Sequence, residues 1–165
     1  MRRFSRRFLV LAGLSVLAGC GGRSRGYNGP EVTRVMIFKK SRIMHLVHGR
    51  EVLKSYRIDL GFAPVGDKKQ SGDGKTPEGA YYIDRRNPES DFHLSLGINY
   101  PNARDVAEAR KLGVDPGGDI FIHGRGNPIT NLIRDWTWGC IAVTNKEMEE
   151  VYAMVRTGTP VLIYK

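Results

Sequence analysis

From Glu31 to Gly61 the chain runs through three consecutive stretches, EVTRVMIFKKS, RIMHLVHG and REVLKSYRIDLG, in which apolar and polar residues alternate. A period of two sends successive side chains to opposite faces of an extended chain, so each stretch can bury one face of a strand. His48-Gly49-Arg50 supplies a turn between the second and third stretches, and together they predict a β-meander. GAYYIDRR, FHLSLGINY and the short apolar DIFIHG continue the strand pattern, and PVLIYK closes the chain in the same way. Two segments break from it. DVAEARKL predicts a helix that stops at Gly113. NKEMEEVYAMVR predicts another, with Thr144 and Glu147 spaced as a capping box, acids early, Arg156 late, and Gly158 and Pro160 beyond its end. No internal repeat is present. The expectation is one mainly β domain with two helices.

The first thirty residues read differently. MRRFSRRFLVLAGLSVLAGC has four arginines, then an apolar run from Phe8 to Leu17 that ends at small residues. Such a run is too short to span a bilayer and reads as a signal peptide over residues 1–19. Its ending, Leu17-Ala18-Gly19-Cys20, resembles the bacterial lipobox, in which the cysteine is lipidated and becomes the mature N-terminus. Cys20 is therefore the expected lipidation site. Ser5-Arg6-Arg7-Phe8-Leu9 partly resembles a twin-arginine signal and does not decide the export route. The Gly-rich GGRSRGYNGP that follows predicts a flexible tether over residues 20–30, which leaves 31–165 as the domain. The expected location is the bacterial cell envelope, lipid-anchored to a membrane and facing the periplasm.

Setting aside the four arginines of the signal lowers the formal net charge from +9 to +5. Lys and Arg are scattered, with no stripe interleaved with aromatics, so nucleic acid is not an expected partner. A mildly basic surface suits an anionic envelope polymer or acidic stem peptides equally well. Several tempting motifs fail on spacing. SGDGKTPEG contains Gly-Lys-Thr, but Lys69 stands where a P-loop needs glycine, and Pro77 falls where its helix should start. His45 and His48, three apart on a strand, face opposite sides and do not make a joint metal site. His93 stands alone in a strand pattern and reads as structural. One cysteine and scattered histidines match no zinc spacing, and neither metal nor cofactor is expected.

What remains is IHGRGNPITNLIRDWTWGCIAV, which holds His123 and, seventeen residues later, Cys140. Past Cys20 this is the only thiol in the chain. An odd cysteine in an exported protein is either reactive, paired between molecules, or buried and inert. A thiol attacks as the thiolate, and a neighbouring histidine lowers its pKa and takes its proton. The two residues can meet if the strand DIFIHG lies beside the segment carrying Cys140. Gly139 allows a tight turn and close approach of a substrate backbone, and the amides near Cys140 could form an oxyanion hole.

These residues resemble the L,D-transpeptidase catalytic domain family (YkuD-type), and the resemblance runs from about Val32 to the C-terminus. The family pattern of His-Gly followed by Ser/Thr-x-Gly-Cys and an apolar residue is carried by His123-Gly124 and Thr137-Trp138-Gly139-Cys140-Ile141. DGKTPEGAYYI resembles the family's Thr-Pro-x-Gly-x-Tyr/Phe segment through Thr76, Pro77, Gly79 and Tyr81. The resemblance implies a β-sandwich domain with Cys140 as nucleophile, His123 as base and then acid, and the Gly124 carbonyl orienting the imidazole. It also implies that the amides of Gly139 and Cys140 serve the oxyanion, with Thr137 shaping the site. The implied substrates are diaminopimelate-containing peptidoglycan stem peptides, with no metal or cofactor.

The pattern departs from the most usual one at Trp138, where a histidine is common, and at Ala142, where an arginine is common. GCIAVTN, INYPN and GVDPGGDIFIHG look like a distinct branch, which includes enzymes that hydrolyse the bond between diaminopimelate and an outer-membrane lipoprotein. Cross-linking and hydrolysis therefore both stand as expectations. A non-catalytic envelope-binding lipoprotein is the alternative from another class. The intact His123, Gly139 and Cys140 argue against it.

Overall fold

The computed structural model describes residues 26–127 and 132–165. The signal and Cys20 lie outside the described residues, so the lipidation expectation has no structural counterpart here.

The meander forms as the alternation predicts: β1 (Arg34–Phe38), β2 (Ile43–His48) and β3 (Glu51–Arg57) pair antiparallel in sequence order. Gly49, at φ 56°, sits in the turn between β2 and β3. The remaining strands are β4 (Gly79–Ser90), β5 (His93–Ile98), β6 (Phe121–His123), β7 (Ile141–Ala142) and β8 (Pro160–Tyr164). The spatial order is β3-β2-β1-β8-β4-β5-β6-β7. The last strand thus inserts between the first and fourth, parallel to β1 and antiparallel to β4. β4 runs four residues further than GAYYIDRR suggests. Its first part pairs with β8 and its second part with β5, so this one strand joins the β3-β2-β1-β8 half of the order to the β5-β6-β7 half.

The two ends of the strand order also meet. Asp59, just past β3, exchanges both backbone hydrogen bonds with Ala142 of β7, each at 2.9 Å. An edge strand of two residues would otherwise leave its amides unpaired. Ile37, Leu46, Ile83, Ile98, Ile122 and Ile141, fully buried, meet in one core between these strands.

Both helices form. α1 (Ala103–Leu112) starts two residues before DVAEARKL because Asn102 closes a capping box with Asp105, and it ends at Gly113 in the left-handed region (φ 70°). α2 (Asn145–Met154) begins at the predicted Thr144–Glu147 box and stops two residues short of the predicted end, where Val155 turns extended and buries itself. It docks through Met148, Val151 and Met154. Roughly 2 kcal/mol for each buried side chain against about 1 kcal/mol for a cap means packing holds the helix, while the box fixes where it starts. Tyr27, within the stretch read as a tether, packs against the core.

Among the described residues two lysines are buried, Lys39 and Lys68. Lys39, 2% exposed, directs Nζ to the carbonyls of Gly66 (2.5 Å) and Thr76 (2.8 Å) and to Glu78 Oε1 (2.9 Å). Burial lowers its pKa against the pull of Glu78. All three protons are used, and the cluster ties the end of β1 to the Thr-Pro segment. Truncation by Lys39→Ala leaves the Glu78 charge and two carbonyls uncompensated and should cost about 3–5 kcal/mol. Lys39→Met, which keeps the packing, should cost less, and urea unfolding of the two variants tests the order.

Candidate functional site

The parallel pairing of β6 with β7 removes the seventeen-residue gap between histidine and cysteine. Ile122 pairs with Ile141 and His123 with Ala142, which sets Cys140 beside Phe121. The thiol sulfur accepts a hydrogen bond from the Phe121 amide at 3.4 Å and donates to the Asp119 carbonyl at 3.5 Å. Cys140 and His123 line the same cleft of about 280 Å³. A larger hollow of about 1060 Å³, between Tyr27 and α2, is lined by neither His123 nor Cys140.

His123 is 3% exposed, and its Nδ1 meets the carbonyl of Gly124 at 2.5 Å. A carbonyl can only accept, so Nδ1 carries the proton and Nε2 is the free base. The ring stacks on Phe92 (centroids 4.6 Å apart) and meets the edge of Trp136 (5.7 Å). The Trp136 indole N–H is buried without a hydrogen-bond partner among the described residues. Gly124 admits no side chain, because a Cβ would lie 2.7 Å from the Phe92 carbonyl and 2.6 Å from Asn145 Oδ1.

The turn that presents Cys140 is braced on several sides. Thr137, 3% exposed, exchanges backbone bonds with the chain around Gly61, accepting from Phe62 N–H and donating to the Leu60 carbonyl. Its hydroxyl donates to the Cys140 carbonyl at 2.8 Å and accepts the Gly139 amide at 3.2 Å. The Gly139 amide therefore faces Thr137. Of the two amides expected to serve an oxyanion, only that of Cys140 is left without a partner among the described residues. Gly139 has φ +125°, and a Cβ there would stand 2.6 Å from the Lys75 carbonyl. The close approach expected at Gly139 is thus made by the Lys75–Thr76 segment, whose Thr76 hydroxyl also accepts the Gly61 amide. Trp138, in contrast, projects outward, 71% exposed, with its ring edge-to-face against Phe62.

Sequence reading missed Asp59. It is fully buried and pairs with Arg125, two residues after His123, and with Arg134, three before Thr137. One carboxylate thereby fastens both ends of the segment that joins histidine to cysteine. The available signal was a charge inside the apolar triplet Ile58-Asp59-Leu60, where the alternation fails and all three residues are buried. His45 and His48 bond to different partners, Ser55 and the Glu31 carbonyl, and His93 bonds to Glu149 of α2.

The acid–base state differs from the expected one. Burial pushes the Cys140 thiol up to about 11 despite the Phe121 amide, and burial lowers His123 despite the Gly124 carbonyl. Both groups rest neutral at neutral pH, and the sulfur bonds to backbone instead of imidazole. The site holds an uncharged thiol and an uncharged base on one cleft.

A mainly β domain with two helices that sets a thiol and an oriented imidazole on one cleft defines a thiol–imidazole protein. The chain belongs to the L,D-transpeptidase catalytic domain family, whose model matches residues 32–163. It is 31% identical over 127 residues to the protein named "Putative L,D-transpeptidase YafK" of Escherichia coli (strain K12), over 73% of this chain and 46% of that one. Among solved structures it is similar to the helical cell shape determining protein Pgp2 from Campylobacter jejuni, at 28% identity and TM-score 0.65. That match covers 85% of this chain and 50% of Pgp2. An L,D-transpeptidase from Mycobacterium smegmatis shares the fold at 13% identity and TM-score 0.55, over 81% of this chain and 59% of that one. The chain spans about half the length of the curated relatives it matches.

Two outcomes follow from this geometry. Alkylation of Cys140 by iodoacetamide at pH 7.5, read by peptide mass, should be at least about tenfold slower than that of a free cysteine peptide. Because the thiol pKa is raised, the rate should keep climbing above pH 9, whereas a preformed thiolate–imidazolium pair would give a plateau near neutrality. Gly139→Ala combines an unfavourable φ with a 2.6 Å contact to backbone. It should cost about 3 kcal/mol in urea unfolding.

Proposed function

We propose that the domain transfers acyl groups through a thioester on Cys140, acting on diaminopimelate-containing peptidoglycan stem peptides. The observation that carries this reading is the oriented imidazole. Gly124 holds the Nδ1 proton, which leaves Nε2 as a base on the cleft that Cys140 shares. Nε2 takes the thiol proton as the sulfur attacks the carbonyl of the diaminopimelate L-centre, and the amide of Cys140 faces the developing oxyanion. The imidazolium returns that proton to the departing amine, which leaves a neutral thioester and a neutral base. An incoming amine or water then gives its proton to Nε2 as it attacks, and collapse restores the thiol. Starting from an uncharged pair in a buried site, each step moves one proton over a short path and never leaves an isolated buried charge.

A cross-link or attachment results when an amine accepts the acyl group, and hydrolysis results when water does. Ala142 favours hydrolysis as the second reading. It is fully buried where the family commonly has an arginine, so it supplies no guanidinium for an acceptor. On that reading the leaving amine belongs to an outer-membrane lipoprotein or a stem-peptide residue. Cys20 is the proposed lipid anchor, which would place the domain on a membrane of the envelope, facing the periplasm.

Incubation with purified muropeptides, read by mass, tests the chemistry. New dimers identify cross-linking, and a released lipoprotein remnant or lost terminal residue identifies hydrolysis. Cys140→Ala should abolish every product while changing stability by no more than about 1–2 kcal/mol. Full activity in that variant would overturn the thiol mechanism. Cys20→Ala should move the protein from the membrane to the soluble envelope fraction.

A further inference from the structure

One hydroxyl on the wall of the Cys140 cleft is committed to nothing. Ser95 of β5 lines the cleft together with His123 and Cys140 and is 3% exposed. Its Oγ has no hydrogen-bond partner among the described residues. The other hydroxyl that lines the cleft, on Ser90, accepts the Phe92 amide. A buried serine ordinarily bonds within the protein, because a hydroxyl taken from water without a partner costs stability. Ser95 carries that cost on the face that holds the thiol and the imidazole.

The strand register fixes where the hydroxyl stands. Ser95 pairs with His123 across β5 and β6, and His123 pairs with Ala142 across β6 and β7. Direct cross-strand partners project to one face of a sheet, and so do residues two apart on a strand. Ser95, His123 and Cys140, two residues before Ala142, therefore share a face, while Leu96, Ile122 and Ile141 join the core on the other. The Gly124 amide bonds to the Leu94 carbonyl, and the Ile98 amide to the Ile120 carbonyl. Those alternate positions are the hydrogen-bonded pairs. Ser95 and His123 thus form the closer, non-hydrogen-bonded kind, with Cα atoms about 4.5 Å apart. The strand order β5-β6-β7 sets the imidazole between the hydroxyl and the thiol.

We infer that Ser95 Oγ is a second hydrogen-bond acceptor for the nucleophile that discharges the thioester. The inference rests on the acyl-transfer reading and adds a residue that acts in its second half. An attacking water or primary amine carries two hydrogens on the reacting atom. Its lone pair forms the bond to the thioester carbonyl carbon and one hydrogen passes to His123 Nε2. The other is left beside a buried imidazole, out of reach of bulk water. Ser95 Oγ accepts that second hydrogen and so aims the lone pair at the carbonyl. As the carbon–sulfur bond breaks, the proton on Nε2 moves to the departing Cys140 Sγ, and both groups are restored. A thiol used as acceptor attacks without a second hydrogen, so Ser95 gives it no help.

The test uses the full-length protein, loaded with acetyl from p-nitrophenyl acetate. Intact mass then follows the discharge of Cys140 to water, to glycinamide or to ethanethiol. Ser95→Ala should slow discharge to water and to glycinamide by about fivefold, the worth of one ordinary hydrogen bond, and keep discharge to ethanethiol within about twofold of the wild type. Ser95→Thr keeps the hydroxyl and should restore the rates, whereas Ser95→Val, of the same shape as threonine, should not. The urea midpoint of Ser95→Ala should match that of the wild type, since the protein loses no internal bond. Equal slowing with all three acceptors, unchanged rates, or a marked fall in the urea midpoint would overturn the proposal.

A second measurement separates this inference from the reading it rests on. Before acylation the place of the nucleophile is open to water, which Ser95 and Nε2 hold together. The nitrogen NMR resonance of His123 Nε2 should therefore move on Ser95→Ala and Ser95→Val and stay in place on Ser95→Thr. A resonance that ignores all three variants would overturn the role of Ser95 and leave acyl transfer intact. A wild type that never acquires acetyl on Cys140 would overturn acyl transfer, and the resonance would still decide whether Ser95 shares a ligand with the imidazole.

Discussion

The distance between thiol and imidazole is set by a parallel ladder of two residue pairs, Ile122 with Ile141 and His123 with Ala142. Two pairs cannot hold a strand by themselves, so the surrounding chain supplies the rest. Asp59 brackets Ala142 from the other side with two backbone bonds, and Thr137 ties the turn to both Cys140 and the chain near Gly61. Gly139 then rests against the Lys75 carbonyl, an approach open only to a residue without Cβ. The buried lysine at position 39 secures that support in turn by bonding to the Thr76 carbonyl. Each contact is modest, about 1 kcal/mol for an ordinary hydrogen bond. Together they make the position of Cys140 a property of three separate chain segments.

The electrostatics follow from the same burial. Removing the thiol and the imidazole from water raises one pKa and lowers the other, so neither is charged at rest. A neutral pair costs the fold little, whereas an ion pair in this recess would have to repay the desolvation of two charges. The carbonyl of Gly124 does the orienting task that a third carboxylate performs elsewhere, and it does so without adding a charge that would stabilise imidazolium at rest. Asp59 takes up Arg125 and Arg134, and Glu89, Asp91 and Asp119 line the cleft.

Much of this was legible in the order of residues. The meander, both helices with the Thr144 box, and the pairing of His123 with Cys140 in one cleft follow from period, caps and motif. Other features were hidden for identifiable reasons. β7 is two residues long and has no measurable periodicity, and β8 gives no sign that it inserts between β1 and β4. Asn102 was passed over because the apolar pattern of α1 is weak; only Asp105 and Ala109 are buried. Gly139 was read as making room for substrate, yet the neighbour that excludes a side chain is the protein's own Lys75.

Sequence alone determined the mainly β class, the Thr144 cap and the Gly113 stop, and the chemistry-bearing pair, because each depends on local periodicity or on residue type. Tertiary structure decided the protonation state of Cys140, the partner of the Gly139 amide, the role of Asp59 and the place of Ser95 on the cleft. These depend on how far a group lies from water and from charges remote in the chain. Asp59 meets Arg134 across seventy-five positions, and Arg85 meets Asp119 across thirty-four. Desolvation and Coulomb energy fall off with distance in space, and that distance exists only once the sheet has closed.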